Sequence, residues 1–465
     1  MTWPRAQTYW RVVGIFGLVE VVSWLAYIGP RSEQIITGLM VLLFLFMAWK
    51  RPIWLVYASI GELVVGSKGY LFFLHFGHQE ISIRMIVFSL VVLAALPHIV
   101  RQWRSLRQTV LSISFLFFVG WLAVSVLIAV FRHTSLFAIY ADANAFLFLA
   151  LLPAWWIVVR RDRQWRQHIL AIVLAGATII GLKSWLIVLL FGQDLSTIRH
   201  VYEWIRNTGV GEITYINANV YRVFFQSQIY SLLTLCLTLT MFIRQRPPRW
   251  WVIPMAMSAL GVYISLSRSF WLGLTVGVIV LIGWLVKDRA WMMIRRLWVV
   301  LPLGIFAWAM LVWALSFPAF NLAGGRANTV LARLHGSGSA DAAASRSNQI
   351  QPLLQAISRH PVIGSGFGTS VTYLSTDPRT KGLRTTDAFE LGYLDVWLKL
   401  GMVGLVLYAV WVLGLWRRIS RTAWSEMFLI SGMAVSIVHL TTPYLNHPLG
   451  LGWLMLTSLY VYDPG

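Results

Sequence analysis

Arg268 sits in SLSRSF (265–270), the polar break between two apolar runs. An ionisable side chain at such a junction either serves a function or snorkels to water and merely closes the turn. Arg222 lies in NVYRVFFQSQ (219–228), and Arg206 precedes it in WIRNTGVGE (204–212), which ends in Glu212. Guanidinium groups stay charged and grip phosphate oxygens two at a time, so two or three gathered at one mouth suit a diphosphate. Arginines drawn to lipid headgroups at the rim are the alternative.

Carboxylates form a second set. The segment TTDAFELGYLDVWLKLGMVG (385–404) carries Asp387, Glu390 and Asp395, with Arg384 just ahead of it. A positioned carboxylate at a membrane mouth takes the proton from a hydroxyl. An acid paired structurally with Arg384 explains Glu390 equally well. The glycine cluster GSGFG (364–368) does not read as a nucleotide site, because it follows a predicted helix and Pro361 where such a loop needs a strand. Lys183 and Glu20 read as lone intramembrane charges with no evident partner. His75, His78, His133, His200, His439 and His447 lack metal-ligand spacing, so neither a metal nor a cofactor is expected. The single cysteine, Cys236, lies in an apolar run, so an intrachain disulfide is excluded.

These residues need a membrane scaffold. The 465 residues are 58% hydrophobic and 12% charged, with mean hydropathy +0.70, which excludes an ordinary soluble domain. The net charge of +21 sits in short loops rather than in a nucleic-acid-binding patch. Those loops hold Arg101, Arg104 and Arg107; Arg160, Arg161, Arg163 and Arg166; Arg244, Arg246 and Arg249; Lys287, Arg289, Arg295 and Arg296; and Arg417, Arg418 and Arg421. Basic residues close to spans mark the cytoplasmic side.

Apolar runs predict spans near 11–28, 34–49, 53–67, 84–100, 109–131, 143–159 and 168–191. Further spans follow near 223–243, 251–266, 269–286, 297–317, 396–416, 425–443 and 447–462. The fold expected is an all-α polytopic membrane protein of about 12–14 transmembrane helices, with the third, ninth and fourteenth short enough to be re-entrant or interfacial. The first run reads as a span, not a signal peptide. With both termini in the cytoplasm, all five basic loops fall on one side. Two long segments, 192–222 and 317–395, then face outward, the second with a helix over 341–359. The expected division is a bundle over 1–317, a loop over 318–395 and C-terminal spans over 396–465.

Three motifs together resemble the O-antigen ligase family, which shares its core with O-antigen polymerases. They are SRSFW (267–271) at a span junction, RHPVIGSGFG (359–368), and ELGYLDVWLKLGMVG (390–404) leading into a span. The resemblance covers roughly 200–416 and implies a membrane glycosyltransferase of the GT-C-like type in the bacterial inner membrane, its active site facing the periplasm. It implies a glycan donor linked to undecaprenyl diphosphate, a glycan or glycolipid acceptor, and no nucleotide sugar or metal ion. Arg222 and Arg268 are expected to hold the diphosphate, and Arg346 matches an arginine at the start of the family's loop helix. Where ligases carry a histidine that activates the acceptor hydroxyl, this chain has Glu390.

The catalytic set expected is Glu390, Arg268 and Arg222. Arg206, Arg346, Arg384, Asp387 and His360 form the substrate-binding set. Membrane lipids are the remaining partners, and nucleic acid is not one. A polymerase of the same family is the alternative within the enzyme class. Outside it stand a lipid-linked oligosaccharide flippase, which should spread its charges through the spans of both halves, and a scaffold protein indifferent to loss of the mouth arginines.

Overall fold

The computed structural model describes residues 3–29, 31–76, 79–193, 198–217, 220–245, 247–287, 295–317, 328, 340–376, 381–418 and 423–462. His78, Asn219, Arg246, Arg289 and Arg421, and all of 318–339 except residue 328, lie outside the described residues.

Helices dominate, because only a helix or a closed barrel satisfies its own backbone groups in hydrocarbon. In chain order they are α1 (Ala6–Ile28), α2 (Ser32–Lys50), α3 (Pro52–Val65), α4 (Ile83–Arg101), α5 (Trp103–Gln108), α6 (Ile113–Phe131), α7 (Leu136–Leu147), α8 (Leu151–Val159) and α9 (Trp165–Gly192). They continue with α10 (Ile198–Asn207), α11 (Ile229–Gln245), α12 (Val252–Ser265), α13 (Arg268–Lys287), α14 (Val300–Ser316), α15 (Ala340–Arg359), α16 (Gly392–Arg418), α17 (Ala423–Val438) and α18 (Pro448–Tyr462). The strands form antiparallel hairpins: β1 (Phe73–Phe76) with β2 (Gln79–Ser82), β3 (Gly211–Asn217) with β4 (Val220–Phe225), and β5 (Val371–Ser375) with β6 (Gly382–Thr386).

Among the described residues, nine helical segments are long and apolar enough to cross a bilayer, so the protein is an all-α multi-pass membrane protein. The three spans expected to be short are α3, α12 and α18, of 14, 14 and 15 residues. At 1.5 Å per residue each reaches only about 21–23 Å, less than the roughly 30 Å of a hydrocarbon core.

Contacts divide the chain into two compact units. One comprises Met1–Val100, Ala154–Leu334 and Glu426–Ala434, the other Arg101–Pro153, His335–Ser425 and Val435–Gly465.

In the first unit α9 is largely buried and central, with α1, α3, α11, α12, α14 and β4 packed on it. Gly181 allows α12 to come close, since a Cβ there would lie 2.2 Å from the Met257 carbonyl oxygen. Lys183 and Glu20 are not the lone charges expected: Lys183 Nζ on α9 lies 2.7 Å from a Glu20 oxygen on α1. A second ion pair joins Arg84 Nε to Glu62 Oε2 at 2.7 Å. Buried charges survive in low dielectric only with such partners.

The ends of this unit's helices are tied in two groups. Tyr57, Asp162 and His168 hydrogen-bond together, Arg244 pairs with Glu426 at 2.6 Å, and Arg296 donates to the Ile243 carbonyl at 2.6 Å. In the other group the Ser67 hydroxyl donates to the Val210 carbonyl and accepts the Gln226 amide at 3.1 Å, fastening the β3–β4 hairpin to the end of α3.

In the second unit α6 lies along α16, with Phe118 stacked on Tyr408 at 4.7 Å between ring centroids. α15, close to the helix expected over 341–359, packs on β5 and α16 through Leu353, Ile357, Val371, Phe389 and Leu398. α16 is broken at Gly401, where φ is 69° and ψ −178°, a conformation open only to glycine. The glycine cluster docks on this break. The amides of Ser365 and Gly366 donate to the carbonyls of Leu398 and Lys399 at 2.7 and 3.0 Å, and those of Met402 and Val403 donate to Pro361 and Val362 at 2.9 and 3.1 Å. The backbone of the cluster thus serves pairing with the break.

Candidate functional site

Arg222 does not open the eighth span, as its sequence position suggests. It lies on β4 opposite Thr214, and α11 begins at Ile229. The run VYRVFF is rich in β-branched and aromatic residues, which fit a pleated surface, and the hairpin satisfies its backbone. This placement carries the Arg222 side chain to the turn between α12 and α13. Its Nε donates to the Ser265 carbonyl at 3.0 Å, and its guanidinium lies 4.7 Å from the centre of the Phe224 ring.

The turn is shaped by Leu266, a non-glycine residue with φ 46°, and by the Ser267 amide donating to Ser265 Oγ at 3.2 Å. Ser267 and Ser269 hydroxyls lie 2.9 Å apart. Arg268, exposed, is the first residue of α13. Two guanidinium-bearing residues, a hydroxyl pair and the positive end of a helix therefore meet at one turn of the first unit. Each element favours an anion, and phosphate above all. Arg206 is exposed in the last turn of α10, and Phe224 packs near Phe270 with centroids 6.0 Å apart.

Glu390 lies two residues ahead of α16 in the second unit, half-buried. Its carboxylate is held from α15: Ser345 Oγ donates to Oε1 at 3.1 Å, and Arg346 Nε lies 3.0 Å from Oε2. The Glu390 amide donates to Gln349 Oε1 at 3.2 Å. Ser345, Arg346 and Gln349 share one face of α15 by their one-turn spacing, which is why a single helix fixes both ends of this residue. Arg384 is exposed on β6 opposite Tyr373, Asp387 follows that strand half-buried, and His360 is exposed just past α15.

The same unit holds an ion network that sequence reasoning did not single out. Lys399 Nζ lies 2.5 Å from Asp142 Oδ1 and 2.6 Å from Asp395 Oδ1. The Gly368 amide donates to Asp142 at 2.8 Å, and the Asn446 amide group donates to Asp395 at 2.5 Å. Two carboxylates share one ammonium, and the amide donors add hydrogen bonds to both. A cavity of about 20 Å³ beside Asp142, Asp395, Lys399 and Asn446 has room for one water. The i, i+4 spacing of Asp395 and Lys399 is the signal that could have found it. Nearby, His439 is fully buried: its Nδ1 accepts the Leu445 amide at 3.1 Å, and its ring packs edge-on to Tyr393.

Residues 253–409 match the family model described as O-antigen ligase. The matched stretch includes Arg268, Arg346, His360, Arg384, Asp387 and Glu390, whereas Arg206 and Arg222 precede it. No curated protein and no solved structure matches the chain. The chain is thus a multi-pass membrane protein whose residues 253–409 are similar to the O-antigen ligase family.

Proposed function

We propose that the protein transfers a glycan from undecaprenyl diphosphate to an acceptor hydroxyl on the outer face of the inner membrane, with inversion and without a metal ion. The bond from the sugar's anomeric carbon to the diphosphate breaks, and a bond from the same carbon to the acceptor oxygen forms. Negative charge develops on the departing diphosphate, where Arg222 and Arg268 stabilise it. Glu390 takes the acceptor's proton, its carboxylate held in one orientation by Ser345 and Arg346. Arg206, Arg384, Asp387 and His360 are assigned to substrate binding.

The observation that carries this reading is the bond from Arg222 to the Ser265 carbonyl, which brings Arg222 to the turn that Arg268 leaves. The same bond caps the last carbonyl of α12 and leaves the rest of the guanidinium at the turn. Glutamate in place of the family's histidine favours an acceptor other than that of the ligases, and so a polymerase.

The test is transfer in vitro by the purified full chain with a lipid-linked donor. Arg268→Lys should lose most activity, because an ammonium cannot reproduce the two-pronged grip of a guanidinium. Full activity in a folded Arg268→Ala variant would overturn the proposal.

A further inference from the structure

We propose that the second unit binds the phosphate group of a membrane phospholipid in a pocket formed by the start of α6 and the ends of α16 and α18. A cavity of about 230 Å³ lies there, lined by Ser112, Ser114, Gly414, Arg417, Arg418 and Tyr462 among others. Arg417 and Arg418 are the last two residues of α16. The Arg418 guanidinium lies over the Tyr462 ring, 5.0 Å from its centre, which fixes a long side chain at the cavity wall. The Ser112 and Ser114 hydroxyls lie 3.1 Å apart. Among the described residues, none of those lining the cavity is a carboxylate. Two cations and three hydroxyls on one wall are the chemistry of a phosphate ester.

Basic residues at the end of a span are usually a topology signal and a match to the helix dipole. That role requires no cavity, no aromatic clamp and no serine pair. The remaining wall identifies the source of the phosphate. Val410 and Leu413 line the cavity and are 48% and 46% exposed, and Ile113 beside Ser112 is 71% exposed. Apolar surface beside a cationic pocket suits acyl chains below a headgroup, whereas free phosphate gains nothing from it. The volume falls below the roughly 300–1,000 Å³ of pockets that enclose a whole ligand, and so suits a headgroup whose tails stay outside. The transfer reaction plays no part in this assignment.

Gly414 provides a variant that keeps every charge. A Cβ there would meet nothing nearer than Ser114 Oγ at 3.8 Å, so a leucine side chain enters the cavity without displacing backbone. The experiment is native mass spectrometry of the delipidated full chain titrated with phosphatidylglycerol, diacylglycerol or inorganic phosphate, with circular dichroism to show that each variant is folded. Wild type should retain phosphatidylglycerol and release diacylglycerol. Arg417→Gln with Arg418→Gln should weaken phosphatidylglycerol retention roughly 30-fold, and Gly414→Leu should weaken it with both charges in place. Equal retention of diacylglycerol and phosphatidylglycerol by wild type, or unchanged retention in either folded variant, would overturn the proposal. Displacement of the lipid by an equal concentration of inorganic phosphate would overturn the lipid assignment.

Discussion

The Lys183 ammonium on α9 lies 2.7 Å from the Glu20 carboxylate on α1, and both side chains are 11% exposed. The rings of Trp204 and Phe225 face the ammonium at 5.0 and 4.7 Å. A charge alone at the centre of a bilayer costs roughly 2.5–3.5 kcal/mol on the insertion scale, so the pair removes a penalty that each residue carries in its own helix. It also fixes the rotation of α1 against α9.

Lys183→Met is expected to destabilise the protein by roughly 3–5 kcal/mol, because it leaves the Glu20 carboxylate uncompensated. Adding Glu20→Leu should recover most of that loss. Unfolding in detergent measures both, and a double variant no more stable than Lys183→Met would contradict the pairing.

Lys399→Met leaves Asp142 and Asp395 facing one another without their shared cation. A loss of about 3–5 kcal/mol is expected, partly restored by Asp142→Asn in the same chain. Absence of any rescue, read from the same unfolding curves, would show that the carboxylates are not the origin of the loss.

Gly401→Ala tests the break in α16. Alanine is strained at φ 69°, and its Cβ would lie 2.2 Å from the Val362 carbonyl oxygen. The strain alone is worth roughly 1–3 kcal/mol. Gly120→Ala in α6, where a Cβ meets nothing within 4 Å, is the control and should fold normally. Equal melting temperatures for the two variants would count against the docking of the glycine cluster on the break.

Most helices were legible because a bilayer imposes length and apolarity on each span independently of its neighbours. The β3–β4 hairpin was not legible. The apolar, aromatic run that follows Arg222 continues into α11 without a further charged or Gly/Pro break, and a short apolar run does not declare helix or strand by itself. Arg222 was therefore assigned to a helix start, and its approach to Ser265 was hidden. Glu390 was picked out as a carboxylate at a membrane mouth and Arg346 through the family resemblance, but their ion pair depends on how α15 packs. Glu20 lies 163 residues from Lys183, and Asp142 lies 257 from Lys399; no local pattern encodes such distances, although the i, i+4 spacing to Asp395 marks Lys399 locally.

Asp162 makes stability depend on pH. Burial pushes its carboxyl up, but hydrogen bonds from Tyr57 at 2.5 Å, the Gln164 amide at 2.8 Å and His168 at 2.7 Å outweigh burial and hold it below the usual carboxylate range. A carboxyl lowered in the folded state contributes stability in full above its unfolded value of about 3.9, and loses it as pH falls through the folded value. Wild type should therefore melt higher than Asp162→Asn at neutral pH, with the gap closing in acid. A gap that is constant with pH would contradict the assignment.

The most direct test of the transfer mechanism is single-turnover glycan transfer by purified Glu390→Gln with the undecaprenyl-diphosphate-linked donor, alongside a measurement of donor binding. Glutamine keeps the shape of glutamate but cannot take the acceptor's proton. Donor binding should match wild type while transfer slows by roughly 10²–10⁴-fold. Transfer at the wild-type rate would contradict the account.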